Sequence, residues 1–190
     1  MTTSNKKTKV VTGKVRLSYA HLFEPYSFSE GQEEKYSVCV LIPKSDKATL
    51  QKIKSAIEAA KAAGAEKFGA KWEKAKHNIP LRDGDAELEE GKKEGAEYEG
   101  HYFINVSSKT KPQVVDAQVQ PILDATEVYS GCYGRVSINF YPYDTVGNRG
   151  IGAGLNNVQK LADGESLGGK TRAEDDFEAV EELEEDDFLF

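Results

Sequence analysis

Asp83, Asp85 and Glu87 occupy alternate positions in DGDAELEEGKKE, and Glu94 closes that stretch at its twelfth residue. Alternating carboxylates that end on a twelfth-position glutamate are the donor pattern of a calcium loop. The first three could also hold magnesium in a nuclease. The calcium reading fails at the sixth position, where the sharp turn demands glycine and the chain has Leu88. A solvated charged loop is the competing reading. His21, His77 and His101 are scattered, and none stands at metal-ligand spacing with Cys39 or Cys132. GIGAG at residues 150–154 is G-x-G-x-G rather than the dinucleotide fingerprint, with no long helix or later acid behind it, so it reads as a bulged strand or turn. Neither a P-loop nor a G-x-S-x-G elbow occurs. With no cofactor and no metal implied, the chain reads as a binding protein rather than an enzyme.

A stronger pattern combines aromatic and basic residues. KVRLSYAHLFEPYSF, residues 14–28, carries Lys14, Arg16, Tyr19, Phe23, Tyr26 and Phe28. Lys109 and Lys111 flank a turn near residues 107–112, and a later strand offers Arg135 and Tyr141, with Tyr143 and Arg149 just beyond. Flat rings stack on unpaired bases, and lysine and arginine follow the phosphates of a strand, with an effect that fades in salt. Lys14, Arg16, Lys109, Lys111, Arg135 and Arg149 are therefore the candidate phosphate contacts, and Tyr19, Phe23, Tyr141 and Tyr143 the candidate stacking platforms. The competing reading of any strand aromatic is core packing. Strand alternation favours Arg135 and Tyr141, because it sets them opposite Val136, Ile138 and Phe140.

The elements that must position these residues are mostly strands. In VVTGKVRL, residues 10–17, Val11, Gly13, Val15 and Leu17 share one face. EKYSVCVLIP, residues 34–43, is apolar nearly throughout and reads as a deeply buried strand stopped by Pro43. Ser45 or Asp46 can cap a helix whose stripe is Leu50, Ile53, Ile57 and Ala60. Gly64 interrupts that stripe, and a second short helix with Phe68 and Trp72 follows. Residues 79–100, with four glycines and Pro80 among many charges, read as a long loop. Strands follow at residues 100–109, 112–117 and 133–144, then a turn and a glycine-bulged strand over residues 147–161. Five or six short strands with a helical insertion at residues 45–77 predict a mainly β domain, a small closed barrel with a β-sandwich as the alternative.

Charge divides the chain in two. Its 190 residues carry a formal net charge of −7, yet residues 173–190 hold ten of the 32 acids and none of the 25 bases, leaving 25 bases against 22 acids elsewhere. A mildly basic body over residues 10–165, after a loose start at residues 1–9, thus precedes an acidic, flexible tail over residues 166–190. The tail ends Asp186-Asp187-Phe188-Leu189-Phe190, and terminal aromatics beside acids suit docking into an apolar pocket with a basic rim on a partner protein. The start lacks a signal peptide's apolar core and no 18-residue apolar run occurs, so the expected setting is intracellular and reducing, with no membrane contact.

VVTGKVRLSYAHLFEPY, YSVCVLIPKSD, GCYGRVSINFYPYD and GIGAGLNNVQKLADGESLGG, four blocks in order over roughly residues 9–170, together resemble a family of bacteriophage single-stranded DNA-binding proteins. That family is related to the podovirus type and has an OB fold. The resemblance implies a five-stranded OB barrel with a helical insertion, and sequence-independent binding of single-stranded DNA in replication, recombination or repair without enzymatic activity. It implies a setting in the host cell cytoplasm and recruitment of replication or recombination proteins by the acidic C-terminal tail. A monomer and a homodimer exchanging tails both fit. The tail departs from related ones, which end in Ile-Pro-Phe or a lone Phe. Two other functions compete: a metal-dependent nuclease using Asp83, Asp85 and Glu87, and an interaction protein whose acidic tail mimics DNA.

Overall fold

The computed structural model describes residues 7–167 and 176–180. Its long strands are β2 (Val15–Tyr26), β3 (Lys35–Pro43), β5 (His101–Ser108), β7 (Tyr133–Thr145) and β8 (Asn148–Ala162). β2 pairs β3, β3 pairs β5, β5 pairs β8, β8 pairs β7 and β7 returns to β2, so five strands close a ring. Every pairing in the ring is antiparallel except β5 with β8, where Ser107 stands beside Gly154. This closure is what the expected small barrel requires, and it leaves no free edge among the five. Three short strands lie outside it: β1 (Lys9–Val11) on β7, β4 (Arg82–Asp83) on β5 and β6 (Gln113–Val115) on β8.

Alternation fills the interior. Val38, Val40 and Ile42 of β3, Ile104 and Val106 of β5, and Val136, Ile138 and Phe140 of β7 share one buried cluster. β1 and β2 depart from the expected single strand. Thr12 is buried, its N–H donates to the Val136 carbonyl and its hydroxyl accepts from the Val136 N–H (both 3.0 Å). Fastened there to β7, the chain breaks its alternation before β2 begins. Val15 and Leu17 stay buried, but Val11 is exposed and Val10 takes its place inside.

Helix α1 (Lys47–Phe68) starts where Asp46 accepts from the Thr49 N–H, and Leu50, Ile53, Ile57 and Ala60 are its buried stripe. Gly64 does not interrupt it. A Cβ there would stand 2.3 Å from the Trp72 ring, so the glycine is the gap into which the indole packs. The helix ends at Gly69, whose φ of +89° suits glycine, and α2 (Ala70–Lys74) brings Trp72 back over α1. The indole N–H donates to the Tyr143 carbonyl (3.0 Å), which ties the helical insertion to β7.

Residues 79–100 are more ordered than a loop. Asp83 caps α3 (Gly84–Glu89), and a 3-10 turn over Ala96–Tyr98 follows. Leu88 and Tyr98 join Cys39, Leu41, Phe103 and Leu167 in a second small core on the outer face of β3 and β5. β3 is therefore apolar on both sides, which explains its unbroken hydrophobic run. Cys39 and Cys132 are buried free thiols. Among the described residues no helix is long and apolar enough to cross a membrane.

Candidate nucleic-acid interface

Beyond the small outer core, the outer face of β3 and β5 opens into a groove of about 770 Å³. The ladder sets its floor: Ser37 pairs Ser107 and Cys39 pairs Asn105, so alternation turns these four outward while Val38 and Val106 fill the barrel. Lys93 and Tyr98 also line the groove, and so does Lys35. Burial pushes the Cys39 thiol up to about 12, and burial also raises the Tyr98 phenol, so the floor carries no anion at neutral pH. The Ser37 hydroxyl is buried without a hydrogen-bond partner among the described residues, leaving an orphaned polar atom in the floor.

The remaining lining is aromatic, and an irregularity in β2 creates it. Its register with β3 shifts between Ser18 and His21 and again before Tyr26. Within the first shift Tyr19 adopts φ 47°, a left-handed conformation rare for a non-glycine residue. Strain of this kind is retained where a side chain must be re-aimed. Tyr19 stands 54% exposed over the groove. Tyr26 stacks on His21 with centroids 4.3 Å apart and planes 6° from parallel, and Phe28 meets both rings edge-on. Tyr26 and Phe28 keep 46% and 63% of their surface open, although tyrosine and phenylalanine gain by burial. Glu33 and Lys109 form an ion pair (3.2 Å) that joins the β2–β3 loop, and so the Glu33 side of the groove, to the end of β5.

The other residues singled out by sequence lie elsewhere. Lys14 and Arg16 sit over the Tyr133 ring (5.1 and 5.6 Å to its centroid), and Arg16 donates to the Gly131 and Glu165 carbonyls. Phe23 is half-buried against the core, with the Lys111 ammonium 6.0 Å from its ring. Tyr141 lies on the β7–β8 hairpin over Gly152, where a Cβ would come 2.4 Å from its ring. The Tyr143 hydroxyl accepts from the Asn78 amide, and Arg149 pairs with Asp144. Arg135 donates to the Thr12 carbonyl on the β1–β7 side. Tyr19 thus lines the groove and Lys109 pairs with one of its lining residues. Tyr26 and Phe28 stood in the same aromatic-rich stretch but nothing in their spacing separated them from Phe23. Ser37, Asn105 and Ser107 carried no sequence signal, since the β3–β5 register alone brings them together. Asp186 to Phe190 lie outside the described residues.

The alternating carboxylates serve the fold. Lys44 Nζ bridges Asp83 and Asp85 (2.7 Å to each), which lowers both carboxyls and raises the lysine. Asp83 also accepts from the Asp85 and Ala86 N–H groups, and Glu87 pairs with Arg82. Among the described residues no three His, Cys, Asp or Glu side chains are placed to hold a metal ion.

The chain resembles several phage proteins. It is 34% identical over 195 residues to protein p50 of Acyrthosiphon pisum secondary endosymbiont phage 1, covering 95% of this chain and 98% of that one. The single-stranded DNA-binding protein of bacteriophage Enc34, solved in complex with ssDNA, superposes with a TM-score of 0.72 at 28% identity, over 86% of this chain and 91% of that one. The single-stranded DNA-binding protein encoded by bacteriophage T7 shares the fold, with a TM-score of 0.60 at 17% identity over 93% and 98% of the two chains. A family profile described as "Enterobacter phage Enc34, ssDNA-binding protein" matches residues 8–189, and the chain belongs to that family.

Proposed function

We propose that this protein binds single-stranded DNA without sequence preference, in the groove on the outer face of β3 and β5. The observation that carries the reading is the set of open rings, Tyr19, Tyr26 and Phe28, held over a polar, uncharged floor. Each exposed ring can stack on one base, at roughly 1–3 kcal/mol per base, and stacking accepts any base because every base has a π-face. Asn105 and Ser107 offer hydrogen bonds to base edges, while Lys35, Lys93 and Lys109 follow the phosphates. Family membership and the likeness to a relative solved with ssDNA support the same assignment.

In this reading one DNA-binding body over residues 10–165 precedes the acidic segment. The protein coats exposed strands during phage replication, recombination or repair in the host cytoplasm, and performs no chemistry on them. Asp186, Asp187, Phe188, Leu189 and Phe190 recruit replication or recombination proteins. Lys14, Arg16, Phe23, Lys111, Tyr141, Tyr143 and Arg149 are secondary candidates, supported by their residue types and not by the groove's geometry.

Fluorescence anisotropy of an oligo-dT of about 30 nucleotides, titrated across a salt series with duplex DNA as control, tests the reading. Salt-sensitive binding to the single strand, weaker to the duplex and tighter when the chain is truncated after Thr171, is expected. No binding by either form at low salt would overturn it. Incubating labelled single strands with magnesium should leave them uncut, and cleavage lost in Asp83→Asn would restore the nuclease reading.

A further inference from the structure

A second concavity, of about 440 Å³, lies between the start of α1, β1 and β7. Lys7, Lys9, Lys52 and Arg135 line it together with Val10, Val11, Gln51 and Ser55, and no carboxylate does. None of the four cations forms an ion pair among the described residues. Arg135 spends only its Nε–H, on the Thr12 carbonyl, so the rest of its guanidinium stays available. The stacking groove is electrostatically poorer: Lys35 and Lys93 share its lining with Glu33, and Lys109 is already paired to that glutamate. A group of four unpaired positive charges thus sits away from the aromatic rings, and the two concavities share no lining residue.

We propose that this cleft is a second, non-stacking site that binds the phosphates of single-stranded DNA, on the same strand beyond the groove or on another strand. The proposal rests on the reading of the groove as a single-stranded DNA site. Unpaired cations on converging elements, with the Gln51 amide and Ser55 hydroxyl as neutral donors and no aromatic ring in the lining, suit a backbone and not bases. The acidic residues 174–187 are the other polyanion at hand. Leu167, the last residue described before them, packs against the small core that holds Cys39 and Tyr98, two residues that line the groove and not the cleft.

The test uses full-length protein and two oligo-dT lengths, about six and about 30 nucleotides, the shorter fitting a single stacking groove. Lys9→Glu with Lys52→Glu reverses two exposed charges of the cleft, and Arg135→Gln is the separate milder variant. The short strand should bind both variants as it binds wild type. The long strand should bind the double variant roughly tenfold more weakly, with a salt slope shallower by about 1.4, the contribution of two phosphate contacts on a single strand. Equal loss on both lengths would make the cleft part of the groove and overturn the proposal. So would unchanged or tighter binding of the long strand, the tighter result being expected if the cleft holds residues 174–187. Tyr19→Leu serves as the discriminating control: it should weaken the short strand, and failure there overturns the groove reading independently of the cleft.

Discussion

Replacing Tyr19 by leucine separates stacking from packing. Neither side chain is β-branched, so both meet a similar backbone burden at φ 47°. Tyr19 keeps 54% of its surface open, so little of the fold depends on its ring. A substitution this exposed should change stability by about 0.5 kcal/mol at most, or about 2 °C in melting temperature for a chain of this size. Binding should respond quite differently. Loss of one base–ring stack costs roughly 1–3 kcal/mol, which weakens the dissociation constant about 5- to 160-fold. Tyr19→Trp keeps a π-face and should bind as tightly as wild type or tighter. The assay is anisotropy of a labelled oligo-dT at one fixed salt, with thermal melts of all three proteins. Leucine binding within twofold of tyrosine would show that the ring contributes only apolar bulk, and the stacking argument would fall. A large drop in melting temperature with leucine would instead make Tyr19 a structural residue.

Three further outcomes follow from particular contacts. Glu33→Gln frees Lys109 from its 3.2 Å partner and removes a negative charge from the groove lining, so single-strand affinity should rise about two- to fivefold at low salt, with the gain shrinking as Debye screening shortens; weaker binding would show that the pair holds the loop in its binding shape. Gly64→Ala places a methyl 2.3 Å from the Trp72 ring, and overpacking of that size should cost about 1–3 kcal/mol and lower the melting temperature by roughly 2–12 °C without changing DNA affinity in the surviving fold. Cys39 should resist iodoacetamide at pH 8 in the native state and react once denatured, because burial holds its thiol protonated up to about 12. The same raised pKa means that its contribution to stability is complete below about pH 9 and is lost as pH climbs towards 12, which alkaline unfolding curves would show against Cys39→Ala.

Much of the body was legible because it rests on local periodicity. The stripe of Leu50, Ile53, Ile57 and Ala60, the Asp46 cap and the alternation of Val136, Ile138 and Phe140 against Arg135 and Tyr141 all appear as read. These patterns depend on repeats of 3.6 and 2 residues that no distant contact has to supply. The readings that failed are those where a partner far along the chain decides. Gly64 passes for a helix breaker until Trp72 occupies the space it leaves, and Thr12 passes for an outward residue until Val136 binds both its polar groups. Residues 79–100 pass for a loop until Leu88 and Tyr98 find Cys39 and Phe103.

The division is sharpest at the interface. Composition and order along the chain determined by themselves that aromatic and basic residues crowd residues 14–28, that ten acids gather after residue 172, and that the body is a small β domain of a recognisable phage type. Which aromatics face solvent together was decided by the tertiary structure alone. A shift in β2 register turns Tyr19 outward, ring contacts with His21 and with each other hold Tyr26 and Phe28 on the same groove, and the β3–β5 ladder brings Ser37 and Asn105 to its floor from 68 positions apart in sequence. A binding surface is a set of neighbours in space. Closing a five-stranded ring creates neighbours that the chain's own order does not contain.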